Sequence, residues 1–158
     1  CVVGLPLPNL QPCDVQKLTT DVALLFKAEL AKRNIELRFD VQAQFDAVHL
    51  DRGQIEQVFV NVLKNAVEAI GEEGTISIRF SKQSGKPCLV IEDTGGGIPP
   101  SVKANLFTPF FSTKGNGQGI GLTLVQEILD GHKFEFSLES PPGGPTQFIV
   151  FFALQGTA

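Results

Sequence analysis

Three polar side chains, Asn61, Asn65 and Glu68, recur at the spacing of a single helix face. Asparagine is a poor residue for a helix interior, so two of them four residues apart suggest a role other than helix formation. An amide oxygen is a hard, neutral ligand for Mg²⁺, and it does not repel substrate phosphates. The alternative is a solvated polar stripe shared with Gln54 and Gln57, which the spacing alone leaves open.

A second motif, DTGGGIPP at 93–100, directly follows an apolar run that predicts a buried strand. One interpretation is a tight turn in which Asp93 bonds to the neighbouring backbone. The other is a binding surface, in which the Asp93 carboxylate accepts a hydrogen bond from an exocyclic amine such as that of adenine. The glycines at 95–97 would then let a ring pack against bare backbone.

A third motif, GNGQGIGL at 115–122, runs directly into a predicted apolar helix, which a flexible linker would not do. Glycine amides at a helix N-terminus form a site suited to phosphate. Two common nucleotide motifs do not fit. A Gly-x-Gly-x-x-Gly pattern would need glycine where Ile120 and Leu122 stand, and no P-loop lysine is present. A dinucleotide-binding fold and a Walker-type ATPase are therefore not supported.

Taken in order, these residues resemble the catalytic ATP-binding domain of bacterial sensor histidine kinases, whose superfamily includes DNA gyrase, MutL and the heat-shock chaperone ATPases. The resemblance covers about residues 6–154. Among these kinases, the chain looks most like the nitrogen-regulation type. It rests on five segments that look like the asparagine box, first glycine box, phenylalanine box, second glycine box and closing Gly-x-Thr-x-Phe: NVLKNAVEA at 61–69, DTGGGIP at 93–99, LFTPFFSTK at 106–114, GQGIGL at 117–122 and GPTQF at 144–148.

The resemblance implies ATP and Mg²⁺ as cofactors and assigns roles to single residues. Asp93 would hold the adenine amine with support from Thr146. Asn65 would bind Mg²⁺, Asn61 would lie near the metal or the phosphates, and Lys114 would meet the distal phosphate. Asn61, Asn65 and Lys114 would form the catalytic set. The further ATP contacts implied are Gly95, Gly97, Ile98, Phe107, Gly117, Gln118, Gly119, Ile120, Gly121 and Leu122.

Among the proteins that the chain resembles, the residue at position 61 distinguishes kinases from ATPases. The ATPase branches carry a glutamate there, which accepts a proton from water during hydrolysis, whereas the amide of Asn61 is not a base near neutral pH. The expected function is binding of Mg-ATP and transfer of its γ-phosphate to a histidine, in two-component signalling. The alternatives are an ATPase that performs conformational work and a non-catalytic nucleotide-binding module.

Neither histidine has the flanking residues expected of a phosphoacceptor, so His49 and His132 are predicted to be structural. The resemblance implies a parent chain whose separate dimerisation domain carries the acceptor, with a response regulator downstream. Residues 1–12, with their three prolines, are expected to be an extended linker from that domain, and residues 13–158 to be the catalytic domain. The isolated domain is expected to be monomeric and the parent homodimeric.

Composition limits the class of protein and its partners. The 158 residues are 42% hydrophobic and 19% charged, which excludes intrinsic disorder. A net charge of −4 without a basic cluster argues against nucleic acid or an anionic membrane as partner, and no apolar run is long enough to span a bilayer. The three cysteines lack metal-ligand spacing, which indicates reduced thiols and a cytoplasmic location.

Periodicity predicts an α+β fold with a mixed sheet covered on one face by helices. Helices are expected from Asp14 to Leu30, from Asp51 to Ile70 and from Gly119 to Asp130. Strands are expected at 35–41, 45–49, 76–80, 89–91, 134–138 and 148–152. The resemblance implies a two-layer α/β sandwich of the Bergerat type, with three helices, a mostly antiparallel sheet and an ATP lid formed by the long loop at 94–118.

Overall fold

The structure is a computed structural model that describes residues 5–95, 118–141 and 143–153. The expected lid falls outside these residues from position 96 to position 117.

The described strands form two sheets of very different size. In chain order they are β1 (Gln11–Cys13), β2 (Ile35–Val41), β3 (Val48–Leu50), β4 (Gly74–Gln83), β5 (Lys86–Asp93), β6 (Glu135–Glu139) and β7 (Thr146–Phe151). The large sheet has the order β2-β4-β5-β7-β6, and β1 pairs with β3 in the small one. Only β2 and β4 run parallel, and the other pairs are antiparallel. The predicted mixed, mostly antiparallel sheet is therefore confirmed.

Four helices are described, and they pack on one face of the large sheet: α1 (Val15–Leu24), α2 (Lys27–Lys32), α3 (Arg52–Ile70) and α4 (Gln118–His132). Asp14 caps α1 by accepting a hydrogen bond from the amide of Lys17, and Asp51 caps α3 in the same way from the amide of Gln54. Gly71 ends α3 with a φ of +75°, which glycine adopts without strain.

Three details differ from the sequence-based expectation. The first helix is interrupted after Leu24, because the amides of Leu25 and Phe26 bond three residues back and tighten the last turn, so the described residues form four helices where three were expected. Gly131 lies inside α4 rather than beyond it, and Lys133 with a φ of 61° follows the helix end. Residues 11 and 12, expected to belong to the extended linker, pair with Leu50 and His49 of β3 as part of β1.

The core lies between the helices and the large sheet. Alternating residues of the strands point into it, and its largest fully buried aromatic side chains are Phe59, Phe80 and Phe152. The two-layer α+β arrangement expected from the sequence is thus the arrangement observed.

Candidate nucleotide site

One end of the large sheet carries polar residues on the face that the helices cover. Asp93, the last residue of β5, is the register partner of Ile76 in β4 and of Thr146 in β7. Since side chains alternate along a strand, Asp93 shares its face with the core residue Ile91, and Thr146 shares its face with Phe148. The apolar core therefore ends, at this edge, in a carboxyl and a hydroxyl group that are both buried.

The Asp93 carboxyl group is a buried hydrogen-bond acceptor. Its residue is 5% exposed, and Oδ1 accepts a 2.8 Å hydrogen bond from the amide of Gly95, so the local turn foreseen in the sequence is present. Burial raises the pKa of Asp93 to about 6; the Gly95 amide opposes this rise and the charge of Glu92 adds to it. In the described residues no salt bridge reaches Asp93. Such a carboxylate gains from a further donor, such as a ligand amine.

Gly95 brings the end of β5 against α3. A Cβ on Gly95 would lie 3.0 Å from the Cβ of Ala69 and 2.8 Å from Oδ1 of Asp93, which is closer than normal contact. Glycine is therefore required here for the close approach. Ala69 lies one helical turn beyond Asn65, so the same contact brings Asp93 to the part of α3 that carries the asparagines.

The amide of Asn65 has a buried polar atom without a partner. Its Nδ2 is the one buried side-chain nitrogen or oxygen, among the described residues, that lacks a hydrogen bond. Leaving such an atom unpaired costs about 1–3 kcal/mol, so natural proteins rarely do this without a reason. The two ends of an amide are interchanged by rotation, so either its oxygen or its nitrogen can occupy this position. This observation argues against a purely solvated role for Asn65.

Asn61 behaves differently from Asn65. Its Nδ2 donates a 2.8 Å hydrogen bond to the backbone oxygen of Gln57, one turn earlier in α3. This bond orients the amide and leaves its oxygen, an acceptor, as the group that other molecules can meet. Glu68 is half-buried and also has a partner within the protein.

The third motif is only partly described. Gln118, Gly119, Ile120 and Gly121 form the first turn of α4, close to the predicted start at Gly119, and Leu122 is buried. The other site residues predicted from the sequence lie outside the described residues: Gly97, Ile98, Phe107, Lys114 and Gly117. The phosphate and lid roles of these residues stay predictions.

Ser140 also belongs to this region, although none of the sequence motifs contains it. Its Oγ lies 2.7 Å from Oγ1 of Thr146, and both residues are buried. The alternation of Phe134, Phe136 and Leu138 could have shown it, because the same period places position 140 on the covered face.

His132 has the structural role that was predicted. It is 3% exposed, and its Nδ1 lies 2.8 Å from the backbone oxygen of Ile128. Since Nδ1 must donate to that carbonyl, Nε2 is left to accept the 3.0 Å hydrogen bond from the amide of Asp51. His132 therefore links the end of α4 to the start of α3, whereas His49 is exposed on β3.

Comparisons with known proteins agree with this architecture. The family model described as histidine kinase-, DNA gyrase B-, and HSP90-like ATPase matches residues 50–156. Sensor histidine kinase ZraS of Salmonella typhimurium is 33% identical over 145 residues, which cover 90% of this chain and 31% of that protein. The chain thus spans about a third of that relative's length.

Two solved structures are also similar. The catalytic domain of histidine kinase ThkA has a TM-score of 0.80 and 30% identity, covering 91% of this chain and 95% of that one. ThkA in complex with the response regulator protein TrrA has a TM-score of 0.78 and 29% identity, covering 92% and 42% of the two chains. The nitrogen-regulation subtype stays a prediction.

In the part of the chain that the structure describes, no helix combines the length and the apolar character needed to cross a membrane. The fold is identified by the family match, by the similarity to ZraS and ThkA, and by the packing of the helices on one face of the large sheet. The chain belongs to the histidine kinase-, DNA gyrase B-, and HSP90-like ATPase family, and within it resembles the catalytic domains of sensor histidine kinases.

Proposed function

We propose that this domain binds Mg-ATP at the end of the sheet that carries Asp93 and transfers the γ-phosphate to a histidine on a separate dimerisation domain of its parent kinase. The observation that carries the proposal is the Asp93 carboxyl group, which is buried, forms no salt bridge with the described residues and belongs to the register partner of Thr146. A buried acceptor next to a hydroxyl group suits a base that presents an amine and a ring nitrogen side by side.

The chemistry of Asn65 fits a magnesium ion. The residue is half-buried, its Nδ2 has no hydrogen-bond partner among the described residues, and its amide would offer a neutral oxygen after rotation. When bound, the ion would neutralise charge on the phosphates of the nucleotide. Asn65 would hold the ion, and Asn61, whose amide nitrogen is already engaged by Gln57, would direct its oxygen towards the same region.

Phosphotransfer is favoured over hydrolysis by the residue at position 61. Hydrolysis needs a base that takes a proton from water, and an amide that donates its N–H to a carbonyl cannot do so. In the proposed transfer, the bond between the γ-phosphorus and the bridging oxygen breaks, a bond to an imidazole nitrogen forms, and ADP leaves. Lys114 would meet the distal phosphate, and the glycines 117, 119 and 121 would present amides to the phosphates.

The proposed partners follow from the relatives. The ZraS similarity covers 31% of that protein, so the acceptor domain of a parent chain would supply the histidine and the dimer contact. A response regulator would receive the phosphate, since ThkA, a similar protein, is solved with one. A cytoplasmic location agrees with the supply of ATP and with the two described cysteines, which are both free.

A direct experiment separates this function from its alternatives. Calorimetry of the full chain with a non-hydrolysable ATP analogue and Mg²⁺ should show binding, and a phosphate-release assay should show little turnover. Release at the rate of a dedicated ATPase would contradict the kinase assignment. Tight binding together with no transfer to the parent's own acceptor domain would instead support a non-catalytic module.

A further inference from the structure

A buried hydrogen bond joins Ser140 to Thr146, which is proposed to hold the base together with Asp93. We propose that Ser140 is a positioning residue that selects adenine against 6-oxopurines, by fixing the orientation of the Thr146 hydroxyl. This inference rests on the proposed function, because it concerns how the same site reads the base of its nucleotide.

The three polar residues form a row across neighbouring strands. Glu139 is the register partner of Gln147, so the next step along these antiparallel strands places Ser140 opposite Thr146. Thr146 is in turn the register partner of Asp93. Ser140 is 4% exposed and Thr146 is 8% exposed, with their hydroxyl oxygens 2.7 Å apart. The orientation of one hydroxyl group is thereby coupled to that of the other.

A hydroxyl group carries one proton and two lone pairs, so its partner decides which it presents elsewhere. If Ser140 donates to Oγ1 of Thr146, the Thr146 proton remains available for another acceptor. The row then offers an acceptor at Asp93 next to a donor at Thr146. Adenine presents the complementary pair, an amine at C6 and an acceptor at N1. A 6-oxopurine presents a carbonyl oxygen and an N–H instead, so both contacts would be unfavourable.

Strand pairing does not account for this hydrogen bond. The backbone ladder between β6 and β7 already joins the two segments, and Leu138 and Phe148 pack side by side along it. Two buried hydroxyl groups contribute little more to net stability than two apolar groups of the same shape. Unlike apolar groups, however, the two hydroxyl groups set the direction of a proton at the edge of the sheet that is proposed to bind the base.

The experiment compares ADP with inosine diphosphate in the presence of Mg²⁺, because the two bases differ only at C6 and N1. Calorimetry gives the ratio of the two affinities for the full chain and for Ser140→Ala, which should lower the preference for ADP about three- to tenfold. Ser137→Ala is the matched control. Ser137 lies on the same strand, but its register partner is Ile149 on the open face, so the ratio should not change.

A double-mutant cycle tests whether Ser140 acts through Thr146. In a Thr146→Val background, Ser140→Ala should have no further effect on the ratio. A melting curve on each variant reports folding separately. If Ser140→Ala does not fold, Ser140→Cys, which keeps the size and a weaker donor, should give an intermediate ratio.

The outcomes separate this inference from the function on which it rests. An unmodified chain that binds neither nucleotide contradicts the proposed function. An unmodified chain that prefers ADP, with the same preference in folded Ser140→Ala or Ser140→Cys, overturns the role of Ser140 alone. An equal loss of preference with and without the Thr146 hydroxyl overturns it as well, because Ser140 would then act by another route.

Discussion

The amide of Gly95 donates a 2.8 Å hydrogen bond to Oδ1 of Asp93, two residues earlier, and a Cβ added to Gly95 would lie only 3.0 Å from the Cβ of Ala69 in α3. One glycine therefore does two things at the proposed site. It partly satisfies the buried carboxyl group, and it lets the end of β5 approach the helix that carries Asn65. The proposed base-binding and the proposed metal-binding parts of the site are joined at this contact.

Gly95→Ala should move the end of β5 away from α3. The added Cβ would lie 3.0 Å or closer to Ala69 and to the Asp93 carboxylate, so the turn must shift. We expect a loss of about 1–3 kcal/mol in the free energy of unfolding, typical of overpacking, together with weaker nucleotide binding. Gly131→Ala is the matched control, because it lies in α4 with open space around it and should stabilise the helix by up to about 1 kcal/mol. Equal behaviour of the two variants in urea unfolding would refute the close-contact argument.

The stability of the domain should carry a pH-dependent contribution from Asp93. Its pKa in the folded protein, about 6, lies above the ordinary value of 3.8, so folding favours the protonated form. The contribution is therefore fully present below about pH 4 and is lost as the pH rises through 6. The unfolding free energy of the unmodified chain minus that of Asp93→Asn should fall by up to about 3 kcal/mol between pH 4 and pH 7.5. A difference that is constant over this range would show that Asp93 is not buried as described.

Asn65→Ala should give a more stable domain that has lost its response to magnesium. The change removes a buried amide nitrogen that has no partner in the described part of the chain and installs the better helix former, so we expect a gain of about 1 kcal/mol in unfolding free energy. Nucleotide affinity measured with and without Mg²⁺ should become equal. Lys64→Ala, at an exposed position of the same helix, should keep the magnesium response. If Asn65→Ala keeps it too, the metal is held elsewhere.

His132→Phe should lower the free energy of unfolding of the domain and leave its affinity for nucleotide unchanged. The variant leaves the amide of Asp51 without its acceptor at the start of α3, which costs about 1–3 kcal/mol. His49→Phe, at an exposed position, should change stability by less than about 0.5 kcal/mol. Thermal melts and calorimetry with ATP check these two points, and labelling with γ-phosphate-labelled ATP reports whether His132 accepts phosphate. Labelling of His132 itself would contradict its structural role.

Local patterns predicted much of the fold because they report directly on burial. Alternating apolar residues identified β2, β4 and β6, and the aspartates at 14 and 51 identified two helix starts. The interruption after Leu24 was not predictable, since the apolar period continues through Phe26, which still packs against the core from the N-cap position of α2. The period marks a buried side chain but does not report whether the backbone between two such residues stays helical.

The site was predicted unevenly for a similar reason. Asp93 and Thr146 were expected to act together only by resemblance, and their pairing across β5 and β7 depends on a register that no local pattern encodes. The alternation along β6 places Ser140 on the covered face, but it gives no sign of a contact with Thr146, which only the distance between the two hydroxyl oxygens reveals. Lys114 and Gly117 lie outside the described residues, so their roles still rest on the resemblance.

The central claim is that Asp93 reads the base of an adenine nucleotide. The most direct test is calorimetry of ATP and GTP with the unmodified chain and with Asp93→Ala. We expect ATP to bind in preference to GTP, and Asp93→Ala to weaken ATP binding about 10- to 150-fold, the equivalent of a charge-assisted hydrogen bond. Asp46→Ala, which removes an exposed carboxylate and changes the net charge equally, should leave ATP binding unchanged. Equal affinities for ATP and GTP, or full ATP affinity in folded Asp93→Ala, would contradict the account.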